Sequence, residues 1–254
     1  MLLQGKVVIV SGIGPGLGQE LAVLAAREGA EAVVLAARTA QKLDAAEQDI
    51  NTLGLGTRVL KVTTDIADQA QCQALAAQTL DAFGRIDVLF NSAYDPGSFE
   101  PIAQANLDHW RRAMDVNFFG TMQLTQACVP AMIEAGGGAV VMIGTMVEHK
   151  PLATQGGYGS SKSALRSATK HLALELGQHG IRVNSCHMGW MWGPAVEGYF
   201  AWQAAESGKT QQELIDEVAR NIPLGVIPDD GECATAAVFL ASDDASYITG
   251  QALP

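Results

Sequence analysis

Three residues in the second half of the chain could move a proton. Tyr158 and Lys162 stand four residues apart within "YGSSK" (158–162), and Thr145 precedes the tyrosine by thirteen residues. On a helix, positions i and i+4 share a face with Cβ atoms about 5–6 Å apart, so a phenol and an ammonium would meet there. A free phenol has a pKa near ~10, too high for a good base at neutral pH. A cation beside it favours the phenolate, so Lys162 is expected to lower the Tyr158 pKa. The Thr145 hydroxyl can donate to a substrate oxygen and orient it, although its extra methyl stiffens χ1 and narrows the site. A tyrosine and a lysine at this spacing also arise by chance. The elements around them must decide.

Those elements alternate. "KVVIV" (6–10), "EAVVLAA" (31–37), "RVLKVT" (58–63), "IDVLF" (86–90), "AVVMI" (139–143) and "IRVNSC" (181–186) are near-continuous apolar runs, the pattern of strands covered on both faces. Between them lie alanine- and leucine-rich stretches with helical spacing, such as 18–29, 73–84 and 108–128. Such alternation predicts an α/β chain, a single-domain doubly wound parallel sheet over 1–254 with helices on both faces. Segment 187–208 departs from the pattern, holding three of the four tryptophans, Trp190, Trp192 and Trp202, with Tyr199 and Phe200. It follows a strand, where open α/β sheets seat their ligands, so 187–220 is expected to be a substrate-loop insertion. An aromatic subunit contact is the plainer alternative.

"VVIVSGIGPGLGQELA" (7–22) is a strand, a glycine-rich turn and a helix start. Gly12, Gly16 and Gly18 follow G-x-x-x-G-x-G; Gly14 adds freedom, and Pro15 stiffens the turn and removes one donor. A turn of this kind lets backbone approach a pyrophosphate and points free helix N–H groups at its oxygens, which predicts a dinucleotide site. After the second strand, Ala37 stands where a carboxylate could bind the adenosine ribose, and Arg38 follows. A guanidinium without a carboxylate accommodates a 2′-phosphate, so NADP is expected over NAD.

Bulk properties narrow the classes. The 254 residues are 48% hydrophobic and 17% charged, enough for one sizeable core. A net charge of −11 argues against a nucleic-acid surface. Cys72, Cys128, Cys186 and Cys233 are scattered, as in reduced cytoplasmic proteins. "MLLQGKVVIV" reads as a first strand rather than a signal peptide, and no run reaches the ~20 apolar residues of a spanning helix. His149, His171, His179 and His187 are not spaced as metal ligands, so no metal is expected; His149 and His187 flank the proposed site. A soluble cytoplasmic protein acting on a small molecule, with neither nucleic acid nor membrane as partner, is the expectation.

The order and spacing of "SGIGPGLG" (11–18), "TDI" (64–66), "NSA" (91–93), "MDVNFFG" (114–120) and "YGSSK" (158–162) resemble the short-chain dehydrogenase/reductase family, in its compact single-domain branch, over nearly the whole chain. The resemblance implies a Rossmann-like fold and a role for each matching position. Tyr158 is the acid/base, Lys162 its partner and a ligand of the nicotinamide ribose. Asn117 holds a water in the proton path, and Thr145 stands where a serine is usual. Asp65 receives the adenine amino group and Asn91 packs under the cofactor. Leu17, Ile66, Ala93 and Gly189 complete the cofactor-facing set. Departures are Ser92 and Tyr94 in the turn after the fourth strand, Met188 for a proline, and Gly193 for a threonine that commonly contacts the nicotinamide carboxamide. The family is mostly tetrameric or dimeric, and helices over 106–134 and 158–178 are alanine-rich enough to pack between subunits, so a homotetramer or homodimer is expected.

These residues together predict interconversion of a secondary alcohol and a ketone. Tyr94, Met146, Trp190, Trp192 and Tyr199 would line the substrate pocket, with an apolar, cyclic or aromatic substrate. Two alternatives stay open: a nucleotide-binding regulatory protein of the same fold, and an enone reductase or dehydratase using the same site.

Overall fold

The computed structural model describes residues 1–254. Seven strands form one parallel sheet in the order β3-β2-β1-β4-β5-β6-β7. They are β1 (Val7–Ser11), β2 (Ala32–Ala37), β3 (Arg58–Thr63), β4 (Val88–Asn91), β5 (Gly138–Thr145), β6 (Ile181–Met188) and β7 (Ala252–Leu253). The helices are α1 (Leu17–Arg27), α2 (Ala40–Thr52), α3 (Gln69–Phe83), α4 (Leu107–Met114), α5 (Thr121–Glu134), α6 (Gly156–Leu176), α7 (Pro194–Ser207), α8 (Gln211–Ala219) and α9 (Asp230–Ala241). No helix is long and apolar enough to cross a membrane.

Each face of the sheet carries its own core. Val8, Val10, Val33 and Leu35 pack with Leu21 and Ala25 of α1, Leu43 of α2 and Ala237 of α9. Ile9, Val34, Leu89 and Val140 pack on the other side with Leu75 of α3, Leu124 and Cys128 of α5, and Leu165 of α6. Alternate residues of one strand thus enter opposite cores, which is why the central runs are apolar throughout. Each such side chain contributes roughly 1.5–3 kcal/mol when fully buried, so a polar interruption in β1 or β4 would be costly.

Two sequence expectations change. β3 is not covered on both faces: it is the sheet edge, where Lys61 pairs with Asp44 and Glu47 of α2. The helix expected over 108–128 is interrupted by a π-helical turn, Asp115–Gly120. β7 escapes sequence reading because two residues carry no period; it is held on β6 by Ser185↔Ala252 pairing.

The strand order reverses beside β1, with β2 on one side and β4 on the other. Carboxyl ends of adjacent strands diverge into a crevice at such a point. The loops after β1, β2, β3, β4, β5 and β6 all line one cavity there.

Candidate active site

The cavity, of about 510 Å³, runs from the glycine loop to the aromatic segment after β6. Its inner end is built by residues 12–18. The Gly12 and Ile13 N–H groups donate to the Ala36 carbonyl at 2.8 and 3.2 Å, folding the loop back over β2. A Cβ at Gly12 would run into the backbone of Ala93, and one at Gly18 into the Gly12 carbonyl oxygen. Both glycines are therefore required by close backbone approach. Gly16 caps α1 with no side-chain hydrogen bond, so the first N–H groups of that helix face the cavity without a side-chain partner. Gly14, Leu17, Arg38, Asp65, Ile66, Ala93 and Gly189 line the same space.

Lys42, in the first turn of α2, was not singled out in the sequence. It brings a second cation beside Arg38, with its ammonium against Gly14. Its only sequence signal is a lysine one turn after that arginine. Free helix N–H groups, two cations and a glycine cradle fit an anionic dinucleotide. Asp230, at the start of α9, was also missed. A Cβ at Gly193 would meet its carboxylate, so this side chain fills the space that a threonine there would need. Burial, and then neighbouring Asp229, hold the Asp230 carboxyl above its ordinary range against the pull of backbone N–H groups.

Thr145, Tyr158 and Lys162 all line this cavity. Thr145 ends β5, and its Oγ1 accepts from the Val147 N–H at 3.3 Å as the cap of the turn Met146–Glu148. Tyr158 and Lys162 lie in the first two turns of α6, on the face toward β5. Lys162 is wholly buried and donates from Nζ to the Ile143 carbonyl at 2.6 Å.

The expected lowering of the Tyr158 pKa is not found. Burial pushes the phenol up to about 12; a hydrogen bond with Thr145 opposes this, while Tyr94 and Glu148 add to it. Lys162 is bound to a strand carbonyl, and burial brings it down to about 8. Desolvation is the leading cause for both groups, with Lys162 fully buried and Tyr158 half-buried in the cavity wall. Near neutral pH the site therefore holds a protonated phenol and a largely protonated lysine.

Asn117 lies in the π-helical turn and does not reach the cavity. Its Oδ1 accepts from the Asp95 N–H at 2.7 Å, and its Nδ2 donates to the Asp95 carbonyl at 2.8 Å and to Ser161 Oγ at 2.9 Å. Ser161 in turn donates to the Tyr158 carbonyl at 2.7 Å. The asparagine side chain is thus engaged on every polar group and ties the 95 loop to the turn of α6 that carries Tyr158. Asn91 also sits below the cavity rather than in its wall, donating to Thr125 Oγ1 and Met142 Sδ.

Of the expected substrate residues, Tyr94, Met146 and Trp190 line the cavity, joined by Phe99 and Leu152; Trp192 and Tyr199 do not. The Trp192 N–H donates to the Pro228 carbonyl at 2.7 Å, its carbonyl accepts from Asp230, and its ring stacks on Phe200. Tyr199 lies behind Trp190, ring centroids 5.5 Å apart. Of the two tryptophans in this segment only Trp190 faces the cavity, because the backbone of Trp192 is pinned to Pro228 and Asp230 at the start of α9. His149 and His187 are also outside it, 2.9 Å from each other behind β5.

A family model described as enoyl-(acyl carrier protein) reductase matches residues 12–254. The short chain dehydrogenase/reductase astE of Aspergillus oryzae is 35% identical over 250 residues, covering 98% of this chain and 92% of the relative. The L-sorbose reductase from Gluconobacter frateurii, complexed with NADPH and L-sorbose, superposes with a TM-score of 0.93 at 30% identity, over 100% of this chain and 95% of that one. An NAD+-bound xylitol dehydrogenase does so with a TM-score of 0.91 at 27% identity, over 99% and 98%. With a glycine-rich loop, a Tyr158–Lys162 helix and such agreement along its length, this chain belongs to the short-chain dehydrogenase/reductase family of oxidoreductases.

Proposed function

We propose that the protein is an NADP-preferring oxidoreductase that interconverts a secondary alcohol and a ketone. The observation that carries this reading is the meeting of Thr145, Tyr158 and Lys162 on the wall of the cavity that begins at the glycine loop. When bound, the nicotinamide supplies or accepts the hydride at the carbonyl carbon. Tyr158 supplies or accepts the matching proton at oxygen, and its protonated phenol is the form that ketone reduction needs. Thr145 donates to the same oxygen and orients it. Lys162 provides the positive charge that stabilises the developing phenolate. Asn117 acts at one remove, by holding the Tyr158 turn against the 95 loop.

The Thr145 role has a direct check. Thr145→Ala should lower kcat about 10²-fold, whereas Thr145→Ser should stay near the parent rate, because only the hydroxyl is needed. Equal rates for all three proteins would leave Thr145 as a turn cap alone.

NADP is preferred because Arg38 and Lys42 flank the adenosine end and Ala37 offers no carboxylate. Ala37→Asp should lower kcat/KM for NADPH by about tenfold or more and improve NADH, since the new carboxylate repels a 2′-phosphate and accepts from a 2′-hydroxyl. Better turnover of NADH than NADPH by the unmodified protein refutes the assignment.

The substrate is read as apolar, cyclic or aromatic. Tyr94, Phe99, Met146, Leu152 and Trp190 form the outer wall, and the Tyr94 ring stands edge-on to Tyr158 at 6.4 Å. A panel of cyclic and aryl ketones, enones and the matching alcohols, with NADPH and with NADH, tests the whole reading. Ketone turnover is the expected result. Turnover of enones alone supports double-bond reduction, which the description of the matching family model keeps in view. Cofactor binding without turnover of any of these supports a regulatory protein. Subunit contacts are read on α5 and α6, where Ile133 and Leu174 are exposed, in a homotetramer or homodimer.

A further inference from the structure

The start of α6 presents two faces. Gly156 and Gly157 lie against Trp110 of α4, and a Cβ on either glycine would run into the indole ring. Contact that close fixes the rotation of the first turns of α6. Gln155, Tyr158 and Lys162, at i, i+3 and i+7, share another face, and all three line the cavity. Tyr158 and Lys162 have tasks in the proposed reaction, and Gln155 has none.

The Gln155 backbone is engaged. Its N–H donates to the Leu152 carbonyl at 3.3 Å, and its carbonyl accepts from the Gly159 N–H at 2.9 Å. Its half-buried side chain does not cap the helix, so the amide keeps both a donor and an acceptor for the cavity. The wall beside it is apolar, formed by Phe99, Leu152 and Trp190, and the Tyr94 ring is exposed. The charged side chains outside the reacting group lie elsewhere. Arg38, Lys42 and Asp65 follow β2 and β3, on the far side of β1 from β5, and Asp230 stands against Gly16 and Gly193. A carboxylate or ammonium on the substrate would find no counter-charge beside Gln155 and would be desolvated at a cost. A neutral hydroxyl or carbonyl would find the amide, which serves either one.

We propose that Gln155 is a specificity-determining residue, whose amide receives a second, neutral oxygen of the substrate. Cyclic hydroxyketones and diketones, with the matching diols, are then preferred over plain ketones and alcohols. The inference rests on the reading of Tyr158 as the group at the reacting oxygen, and it refines the apolar ring read above. Side chains at i and i+3 start about 5–6 Å apart. A six-membered ring with oxygens on opposite carbons bridges such a span.

The test is a pair of ring alcohols of similar size, cyclohexane-1,4-diol and 4-methylcyclohexanol, in which a methyl replaces the second hydroxyl. Each is titrated into the protein saturated with reduced nicotinamide cofactor, and binding is followed by nicotinamide fluorescence. Alcohol and reduced cofactor cannot react, so no turnover intervenes. One added hydrogen bond is worth about fivefold in affinity, and the two equivalent hydroxyls of the diol double it. The diol should therefore bind about tenfold tighter in the unmodified protein. In Gln155→Leu, which keeps the bulk and removes the amide, the ratio should fall to about twofold or below. Retained cofactor binding shows that this variant is folded. A diol that binds no tighter than 4-methylcyclohexanol in the unmodified protein overturns the inference, and so does a tenfold preference that survives in Gln155→Leu. Because these affinities are measured without chemistry, the ketone panel decides the underlying reading separately.

Discussion

Replacing Tyr158 by phenylalanine is expected to lower kcat with an active ketone by about 10³-fold while leaving NADPH affinity essentially unchanged. General acid–base groups contribute roughly 10²–10⁴ in rate, and only the phenol oxygen is removed. The ring itself keeps its place. It is packed edge-on against Tyr94 at 6.4 Å, in the helix that Asn117 ties to the 95 loop. Steady-state kinetics give the loss in kcat, and a fluorescence titration with NADPH gives the binding constant. A variant that turns over at the parent rate would remove Tyr158 as proton donor. One that loses cofactor binding as well would show that the phenol matters for architecture instead.

Lys162→Met should separate function from stability in the opposite sense, with a slower enzyme and a more stable fold. Lys162 titrates near 8 in the folded protein, against an ordinary 10.5. The unfolded chain therefore binds more protons between those values, and stability rises with pH across that window. Below about pH 8 the buried ammonium costs the full difference, about 3 kcal/mol. Methionine removes that cost but leaves the Ile143 carbonyl without its 2.6 Å donor, a loss of about 1–2 kcal/mol. The net gain of about 1–2 kcal/mol at pH 7 raises Tm by a few degrees, and it should fade as pH climbs toward 10. Turnover should fall by about 10²-fold or more, because the remaining cations of the cavity, Arg38 and Lys42, lie with the glycine loop and the end of β2 rather than on the Tyr158 helix. Calorimetry over pH 7–10 beside kinetics checks both halves. A variant that melts lower and still turns over would make Lys162 a structural residue.

These opposite signs explain why such a lysine is legible in a sequence and its state is not. Its spacing from Tyr158 requires only that residues 158–162 be helical, and the first two turns of α6 satisfy that. The titration of both groups depends on how much water the surrounding chain excludes. That is a sum over β5, the turn after it and the aromatic loop after β6, elements far apart along the chain. Sequence reasoning therefore expected attraction to dominate, and burial dominates.

The same division runs through the site. The six longer strands, the glycine loop and the Tyr158–Lys162 face follow from local pattern: apolar β-branched runs, glycines that admit backbone contact, and a helical repeat. Periodicity is a property of neighbours in sequence, so it survives without knowledge of the fold. Lys42, Asp230 and Glu148 enter the site or its support only because α2, α9 and the turn after β5 converge on the crevice. Trp192 leaves it because its backbone is tied to Pro228 and Asp230 at the start of α9, and Tyr199 because it packs against Trp190 from α7. By itself the sequence determined which chemistry could be done and on which elements it would sit. Tertiary structure decided which side chains face the cavity and which charges are buried together, because direction and desolvation are set by contacts between segments that no local spacing records.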